Sequence, residues 1–399
     1  HDKEIPVVES SKTRREAIKT ATGGVAAALA CLSIPDFVFP GQNQDEELVP
    51  FLDMPRTPPN RLDWETLDSW ITPQDQVFSV QHYGTPDVDH AAFQLELAGR
   101  IDHPRTFSLD QLKSLPVKEQ LMTLECSGNG ASKGFMNAVY NGNWRGTPLA
   151  PILKECGLQA DAREVVFFGF DNNVETLREG TDRELSVPVP FGRSMSLDDA
   201  MNLNLLLAYE RNGKPLEKRN GAPLRLIVPG WYGIANIKWL KRIEIRDSRY
   251  MGRFMGRDYV TVRGHRNGGE VEFVETSVSR MNLKSIVARI TTRSRNKDAV
   301  LKSYGAAWDD GTGISKVQIQ VDGGEWQDAK LDEAPRAPFS WVFFSMEVGA
   351  LKPGKHRVVS RAIDVNGRIQ PSAQEDEIAL KKTYWEAYQQ WPREIDVAG

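Results

Sequence analysis

The stretch Leu121-Met-Thr-Leu-Glu-Cys126-Ser-Gly-Asn-Gly130 decides how this chain is interpreted. Its apolar first half predicts a strand, and the small residues of its second half let the backbone pass close to a bulky ligand. Cys126 stands where the strand gives way to the loop. A thiolate at such a strand end suits a soft metal or a covalent intermediate. Because a lone cysteine is more often a small buried apolar residue, this stretch alone leaves both interpretations open.

The composition is that of an ordinary globular protein and excludes several classes. The chain has 399 residues, of which 40% are apolar and 26% charged, and its formal net charge is −4. The length suggests two domains, and the near-neutral charge argues against a nucleic-acid partner. The three cysteines are too few for a disulfide scaffold, and no Cys-x-x-Cys pair is present for zinc, c-type haem or thioredoxin-like chemistry. A functional cysteine would therefore act alone.

Residues 1–45 are predicted to be a Tat export signal and linker. Arg14 and Arg15 form a twin-arginine pair, and an uncharged, Ala-rich stretch follows at residues 20–35. Such a pattern is typical of an export signal for proteins that fold around a cofactor first, which predicts a periplasmic location. The alternative is an amphipathic helix with a chance Arg-Arg pair. Cys31 faintly matches a lipoprotein site, so a lipid anchor there stays open.

The rest of the chain shows two regions of different pattern. Residues 46–275 mix short apolar runs with amphipathic segments, which predicts an α+β domain of the mixed α/β kind. Residues 276–382 carry short alternating strands with close turns, which predicts a β-sandwich. A polar connection rich in Arg and Gly lies between them, around Arg257–Gly269. The tail, residues 383–399, holds two tryptophans and is expected to be packed.

Individual elements are predicted from the same patterns. The strand candidates are Phe93–Leu97, Leu121–Cys126, Glu164–Phe170, Leu224–Pro229, Ile314–Val321, Pro338–Glu347 and His356–Asp364. The helix candidates are Ser108–Ser114, Ala150–Cys156 and Leu197–Asn202. Cys156 ends one of these helices and is expected to be a core residue.

Further segments follow the cysteine stretch in a fixed order. They are Trp144-Arg-Gly-Thr-Pro-Leu149, Leu207-Ala-Tyr-Glu-Arg-Asn-Gly-Lys-Pro-Leu216, Asn220-Gly-Ala-Pro-Leu-Arg-Leu-Ile-Val-Pro-Gly230, Ile237-Lys-Trp-Leu240, Arg257-Asp-Tyr259, Asp322-Gly-Gly324 with Trp326, and Arg361-Ala-Ile-Asp-Val-Asn-Gly367. In this order and spacing, residues 60–372 closely resemble the sulfite oxidase family of molybdenum enzymes. The whole series, more than any single motif, carries the resemblance.

The resemblance implies a fold, a cofactor and an activity. The family has a mixed α/β cofactor domain followed by an immunoglobulin-like domain that usually mediates dimerisation, so a homodimer is expected. It implies one molybdenum-molybdopterin per chain, with Cys126 as the metal ligand, and no haem in this chain. The implied reaction is oxidation of sulfite, or of a related small sulfur oxyanion, to sulfate by oxygen-atom transfer. The electrons would then pass to a separate c-type cytochrome.

The resemblance also implies roles for individual residues. Arg225 and Lys238 are expected to hold the pterin phosphate, with Asn220 beside them, because a doubly charged anion in a cleft needs fixed donors. Residues expected to line the pterin pocket are Gln81, His82, Tyr83, Ser127 and Asp171. Trp231 and Tyr232 follow Pro229-Gly230 and either wall the substrate pocket or are ordinary loop aromatics.

Two departures from the family pattern affect the substrate. The family's substrate-binding arginine, expected in a Phe-x-Arg-Asn-His segment, is matched by Val80, and the catalytic tyrosine aligns most simply with Leu185. A valine lacks the guanidinium charge and fork, which weakens anion binding by on the order of 1–3 kcal/mol. The charge could come from another direction, or the substrate is not free sulfite. Candidates for that charge are Arg178, Arg183, Arg193 and Lys133.

Three alternative functions stay open. The Cys-Ser-Gly-Asn variant and the Pro-Gly-Trp loop also look like the molybdenum subunit of sulfane dehydrogenases, which oxidise carrier-bound sulfur. A reductase of sulfoxides or N-oxides is the second alternative, because oxygen-atom transfer at molybdenum runs either way. The third is a non-catalytic, cofactor-free binding module. The intact Cys126 and the export signal argue against this last alternative.

Overall fold

The computed structural model describes residues 46–53, 60–131, 136–293, 300–333 and 337–398, and all of them belong to one compact unit, residues 37–399. The predicted export signal, with Arg14, Arg15 and Cys31, lies outside the described residues, as does Lys133. Within the described ranges, no helix is long and apolar enough to cross a membrane.

The described part is rich in strands and has five short α-helices. The first strands are β1 (Glu47–Val49), β2 (Gln94–Gly99), β3 (Arg105–Ser108), β4 (Lys118–Glu125), β5 (Val139–Pro148), β6 (Glu164–Leu177), β7 (Leu185–Ser196), β8 (Leu206–Arg211), β9 (Lys214–Pro215), β10 (Arg225–Ile227) and β11 (Leu240–Arg246). The later strands are β12 (Val260–Asn267), β13 (Glu270–Ser277), β14 (Lys284–Thr292), β15 (Val300–Trp308), β16 (Ile314–Val321), β17 (Gln327–Asp328), β18 (Lys330–Leu331), β19 (Val342–Ala350), β20 (Gly354–Asp364) and β21 (Arg393–Val397). The helices are α1 (Leu109–Ser114), α2 (Leu149–Glu155), α3 (Leu197–Asn202), α4 (Arg253–Gly256) and α5 (Asp376–Ala379).

The first domain is built on two sheets, with strand orders β3-β2-β11-β6-β7 and β10-β8-β5-β4, and β9 pairs with β8. Only β2 and β11 are parallel among these pairs. The predicted strands and helices of this region are confirmed, and Ser108 starts α1 with a capping box to Gln111. Cys156 directly follows α2 and is fully buried in the core, as expected. The mixed pattern of the sequence therefore does correspond to an α+β domain.

The second domain is a β-sandwich of two sheets, with strand orders β1-β14-β15-β19-β18 and β17-β16-β20-β21. Apolar side chains from both sheets form its core, including Val287, Val317 and Phe344. β1 and β21 also belong to this sandwich. The predicted start of the first domain at residue 46 is therefore corrected, because β1 pairs with the second domain. The tail is packed, as expected, because β21 pairs with β20.

The polar connection predicted around Arg257–Gly269 is in fact a β-hairpin. β12 and β13 pair along their whole length in a two-stranded sheet. Most side chains of β13 are exposed, including Phe273 and Val274. Short apolar alternation is present in both strands, at Val260 and Val262 and at Val271 and Phe273, but the charged residues around it and the Gly268-Gly269 pair favoured the prediction of a connecting segment.

The sandwich domain covers the free edge of β4, the strand that leads to Cys126. β4 is the last strand of its sheet. The Thr123 N–H donates to the Phe339 carbonyl at 2.8 Å, and the Trp341 N–H donates to Thr123 Oγ1 at 2.8 Å. An uncovered edge would leave these backbone groups unpaired. The two domains are thus joined along the strand that positions the cysteine.

A buried ion pair ties the two ends of the described chain together within the sandwich. The side chains of Arg393 and Asp53 are 1% and 2% exposed and lie 3.3 Å apart. Arg393 also donates to the Val287 carbonyl at 2.8 Å, and its guanidinium lies 3.6 Å from the centre of the Phe51 ring.

We predict that Arg393→Met destabilises the protein by about 3–5 kcal/mol, because the Asp53 carboxylate stays buried without its partner. The measurement is the free energy of unfolding from chemical denaturation. Lys316→Met is the control, because Lys316 pairs with Asp328 on the exposed surface and its loss should leave the midpoint unchanged. Equal midpoints for Arg393→Met and the wild type would contradict the prediction.

Candidate active site

A cleft that is open to solvent lies at the end of β4. It is formed by the loop at residues 78–82, the end of β4, the neighbouring β5, the β6–β7 pair, and the loops after β10 and after α4. Its walls are formed by Phe78, Ser79, Val80, Gln81, His82, Leu124, Cys126, Ser127, Tyr140, Asp171, Phe191, Arg225, Gly233, Ile234, Asn236, Lys238 and Tyr259.

Cys126 lies in the wall of this cleft and is partly exposed. Its N–H donates to the Ala138 carbonyl at 2.9 Å, and its own carbonyl accepts from the Asn129 N–H at 2.9 Å. Burial raises the pKa of the Cys126 thiol, and a hydrogen bond from the Gly128 backbone partly opposes this. Gly130 has a φ of +87°, and a Cβ there would lie 3.0 Å from the Met136 sulfur. The tight loop predicted from the small residues is therefore present.

Two cations, Arg225 and Lys238, lie at another part of the cleft, where the Asp171 carboxylate also acts on Lys238. Arg225 is 5% exposed, donates to the Asn220 carbonyl at 3.2 Å and lies 5.2 Å from the centre of the Trp144 ring. The Lys238 ammonium donates to the Val80 carbonyl at 2.8 Å. Burial first, and Arg225 next, lower the pKa of Lys238 to about 7. Two like charges are stabilised by an anionic ligand, so this end suits a phosphate group.

Three buried polar atoms of the cleft have no hydrogen-bond partner in the described part of the chain: Arg225 Nε, Ser127 Oγ and Asp171 Oδ1. Burial also raises the pKa of Asp171 to about 6. A buried polar group without a partner costs on the order of 1–3 kcal/mol, so such atoms in a cleft usually contact a ligand. Donors, an acceptor and a thiol are thus available together. This donor set fits a phosphorylated pterin that carries a soft metal.

Tyr259 and His82 both line the cleft and are hydrogen-bonded to each other, with 2.7 Å between the Tyr259 hydroxyl and His82 Nε2. Burial raises the pKa of Tyr259 above its usual value, and burial together with Arg253 lowers the pKa of His82. Near pH 7 the pair is therefore a protonated phenol beside a neutral imidazole. Tyr259 has a φ of +59°, a backbone conformation that costs a non-glycine residue energy and is frequent at functional sites.

The C-terminal tail lies beside the thiol. Trp385 stacks on Tyr259 with 4.1 Å between ring centres, and Glu386 N–H donates to the Ser127 carbonyl at 2.8 Å. A Cβ added to Gly128 would lie 3.6 Å from the Tyr384 ring, 3.8 Å from Trp385 and 3.9 Å from Cys126 Sγ. Tyr384 is 54% exposed. Two uncharged aromatic rings from the tail therefore flank the approach to Cys126.

The structure brings together most of the residues that the resemblance implies. Those that line the cleft are Gln81, His82, Cys126, Ser127, Asp171, Arg225 and Lys238. Asn220 is buried behind Arg225 and accepts its hydrogen bond. Tyr83 does not line the cleft, because its hydroxyl turns away and donates to Glu175 at 2.8 Å.

Trp231 and Tyr232 do not wall the cleft. After Gly230 the chain turns inward, and both rings pack in the main core of the first domain. The Tyr232 hydroxyl is 3.4 Å from the backbone N–H and the side-chain amide of Asn282, which donate to it. The expectation that these two aromatics contact substrate is therefore corrected.

Val80 lines the cleft with an uncharged side chain, and the suggested replacements for its missing charge lie elsewhere. Arg193 is buried and donates to the Phe254 and Val278 carbonyls. Arg178 and Arg183 are exposed and do not line the cleft. Leu185 is also outside it, exposed at the start of β7 and paired with Leu177.

The sequence predicts no role for Tyr259, although this residue belongs to the Arg257-Asp-Tyr259 motif that contributes to the family resemblance. Tyr384 and Trp385 were missed as site residues. The only indication was that an aromatic tail is expected to pack against the protein. The sequence does not show which surface the tail contacts.

The comparisons with known proteins agree with this fold. A family model described as "Oxidoreductase molybdopterin binding domain" matches residues 82–254, and one described as "Mo-co oxidoreductase dimerisation domain" matches residues 275–386. The mitochondrial sulfite oxidase of Rattus norvegicus is 27% identical over 327 residues, which cover 76% of this chain and 58% of that relative. The sulfite oxidase of Arabidopsis thaliana is 27% identical over 339 residues, which cover 76% of this chain and 83% of that relative.

A solved structure shares the fold. The crystal structure of the sulfane dehydrogenase SoxCD from Paracoccus pantotrophus matches with a TM-score of 0.70 at 20% sequence identity, covering 98% of this chain and 100% of that chain. The fold and the cleft thus define a molybdopterin-binding domain followed by an immunoglobulin-like dimerisation domain. The chain belongs to the sulfite oxidase family of molybdopterin-dependent oxidoreductases. It spans 58% of the length of the mammalian relatives.

We predict that the cofactor-free protein binds sulfate about tenfold more tightly at pH 6 than at pH 8. With a pKa of about 7, Lys238 is about nine-tenths protonated at pH 6 and about one-tenth protonated at pH 8, while the charge of sulfate is the same at both. Isothermal titration calorimetry measures the affinity. Lys238→Met should remove most of the pH dependence and leave only the part that comes from Asp171, whose pKa is about 6. Lys241→Met, which changes an exposed lysine on the next strand, should keep all of it. The same pH dependence in both variants would contradict the role of Lys238.

Proposed function

We propose that this protein is a molybdenum-dependent oxidoreductase that oxidises a reduced sulfur compound by oxygen-atom transfer. The sulfur atom gains one oxygen from water, two protons are released, and two electrons leave to a separate c-type cytochrome. The observation that carries the proposal is the cleft itself, which is lined by one cysteine thiol, by two cations in another part of it and by unpaired polar atoms suited to a pterin.

Each group in the cleft has a distinct task under this proposal. Cys126 is the protein ligand of the molybdenum, and Arg225 and Lys238 hold the pterin phosphate. Ser127 and Asp171 offer the pterin ring one donor and one acceptor. When bound, the molybdenum centre supplies the oxygen-atom transfer and the two-electron redox couple.

Tyr259 orients the substrate under this proposal. Its raised pKa keeps the phenol protonated near neutral pH, so the hydroxyl can donate a hydrogen bond to an oxygen atom on sulfur. His82 Nε2 lies 2.7 Å from the phenol oxygen, and in the tautomer with the proton on Nε2 it donates to that oxygen and leaves the phenol proton for the substrate. The ring of Trp385, stacked on Tyr259, holds the phenol in place and excludes water from one side.

The thiol end of the cleft favours carrier-bound sulfur over free sulfite as the substrate. Val80 and Tyr259 line the cleft without a charge, and the uncharged rings of Tyr384 and Trp385 lie beside Gly128. Arg61 and the buried Lys284 influence the thiol only through their charge, without a hydrogen bond to it. A free dianion would lose its hydration without gaining a fixed cation, whereas a sulfur atom linked to a carrier brings less charge. The proposal therefore takes a sulfur chain on a carrier as the preferred substrate and free sulfite as the weaker one.

We also propose that the protein is a periplasmic homodimer. The match of residues 275–386 to a dimerisation domain supports the dimer. The Arg14-Arg15 pair supports export by the Tat route.

Replacement of the thiol tests the central claim. We predict that Cys126→Ser lowers turnover with any sulfur substrate by at least about 1,000-fold, because a serine hydroxyl does not replace a thiolate at a soft metal. The thermal midpoint should stay close to that of the wild type. The control is Cys156→Ser, which changes the buried core cysteine and should keep the turnover number. Full activity in Cys126→Ser would rule out the proposed function.

A second experiment tests the substrate. We predict that the wild type oxidises a cysteine-persulfide peptide faster than sulfite with ferricytochrome c as acceptor. Tyr384→Arg should raise kcat/KM for sulfite by about 5- to 150-fold, which corresponds to about 1–3 kcal/mol for one added ionic hydrogen bond. Phe273→Arg, an equally exposed aromatic on β13, is the control and should leave the selectivity unchanged.

The same assay separates the alternatives. Rapid turnover of free sulfite by the wild type would overturn the preference for carrier-bound sulfur and leave the oxidase function standing. Reduction of a sulfoxide by reduced viologen, without any sulfur oxidation, would instead show a reductase. A molybdenum-loaded protein inactive in every assay would favour a binding module.

A further inference from the structure

A fully buried ion pair lies directly behind the proposed metal ligand. The side chains of Lys284 and Glu125 are 1% and 0% exposed, and the Lys284 ammonium donates to Glu125 Oε1. It also donates to the Asn129 carbonyl at 3.2 Å. Glu125 immediately precedes Cys126, and Asn129 lies three residues after it. One ammonium group therefore holds both ends of the cysteine loop.

The rest of the network satisfies the carboxylate. Trp308 Nε1 donates to Glu125 Oε2 at 2.8 Å, and Asn129 Nδ2 donates to Glu125 Oε1 at 2.9 Å. Asn129 Oδ1 in turn accepts from the Ala138 N–H at 3.0 Å. Buried charges are tolerated only when they are paired and hydrogen-bonded in this way. Charged and polar groups thus hold the cysteine loop from the side that faces the sandwich domain.

The network is shared between the two domains. Lys284 is the first residue of β14 and Trp308 the last of β15, and the two are cross-strand partners in the sandwich. Trp308 stacks at 6.0 Å on Trp64, a residue of the first domain. The carboxylate they bind is at the end of β4 in that domain. The sandwich domain therefore reaches the cysteine loop with a cation and a donor.

The geometry of β4 transmits this contact to the thiol. Successive side chains of a strand point to opposite faces. Thr123 and Glu125 point to the sandwich domain and bind its residues, whereas Leu124 and Cys126 line the cleft. A displacement of Glu125 therefore moves Cys126 as well.

We propose that Lys284 is a positioning residue for Cys126, which makes the sandwich domain part of the cofactor site of its own chain. This inference rests on the proposed role of Cys126 as the metal ligand. Lys284 acts through Glu125 and Asn129 and does not itself touch the cofactor. Outer groups that orient a metal ligand typically change metal affinity 10- to 100-fold when removed.

The test uses the molybdenum-loaded protein and the double variant Glu125→Gln/Lys284→Met. Removing only one partner would leave a buried charge and could prevent folding, whereas removing both charges can be nearly neutral for stability. The matched control is Asp53→Asn/Arg393→Met, which removes an equally buried ion pair of the sandwich domain that contacts neither Cys126 nor its loop.

Three readouts are compared: the rate of cofactor loss, the electron paramagnetic resonance spectrum of the one-electron-reduced metal, and hydrogen exchange of the amides at residues 126–131. We expect the double variant to lose cofactor about 10- to 100-fold faster, to show a shifted spectrum and to exchange these amides faster. The control should match the wild type in all three.

The outcomes separate the two claims. A double variant with wild-type cofactor retention, spectrum and exchange would overturn the positioning role and leave the proposed function intact. Equal changes in the control would also overturn it, because they would show a general loss of stability. A wild-type protein that retains no molybdenum would instead refute the proposed function.

Discussion

Along β4, one set of side chains faces the cleft and the other faces the sandwich domain, and the architecture of the site follows from this alternation. The strand has a free edge, which the sandwich covers through Phe339 and Trp341. Its end carries Glu125 into a buried charge network and Cys126 into the cleft. A domain whose family match describes dimerisation thus also supports the local structure of the site.

Positively charged and uncharged side chains lie in separate parts of the cleft. Arg225 is buried and Lys238 is half-buried, and the two cations repel each other and suit an anion. Beside the thiol, Tyr259, Tyr384 and Trp385 present uncharged rings. A cofactor phosphate can be bound strongly without making the substrate end attractive to small anions. Family membership therefore fixes the cofactor chemistry more firmly than the substrate, which depends on the side chains around Cys126.

Local patterns predicted the strands, the helices and the cysteine loop, because burial imposes clear periodicity on them. The hairpin of β12 and β13 was missed, since its few alternating apolar residues stand among charged residues and a Gly-Gly pair that are typical of a connecting loop. β1 is only three residues long and carries too little pattern to show which sheet it joins. Trp231 and Tyr232 stand beside the right loop but turn into the core, and Tyr384 is more than 250 positions from Cys126. Such tertiary placement has no local signature.

The stacking of Trp385 on Tyr259 and the hydrogen bond from Glu386 to Ser127 have a consequence for biosynthesis. The cleft is incomplete until these late residues have left the ribosome. During translation the cysteine loop is therefore open on the side that the tail later covers, and a bulky pterin can enter from there. Docking of the tail would then retain it, because these residues cover the side of the loop from which the pterin entered.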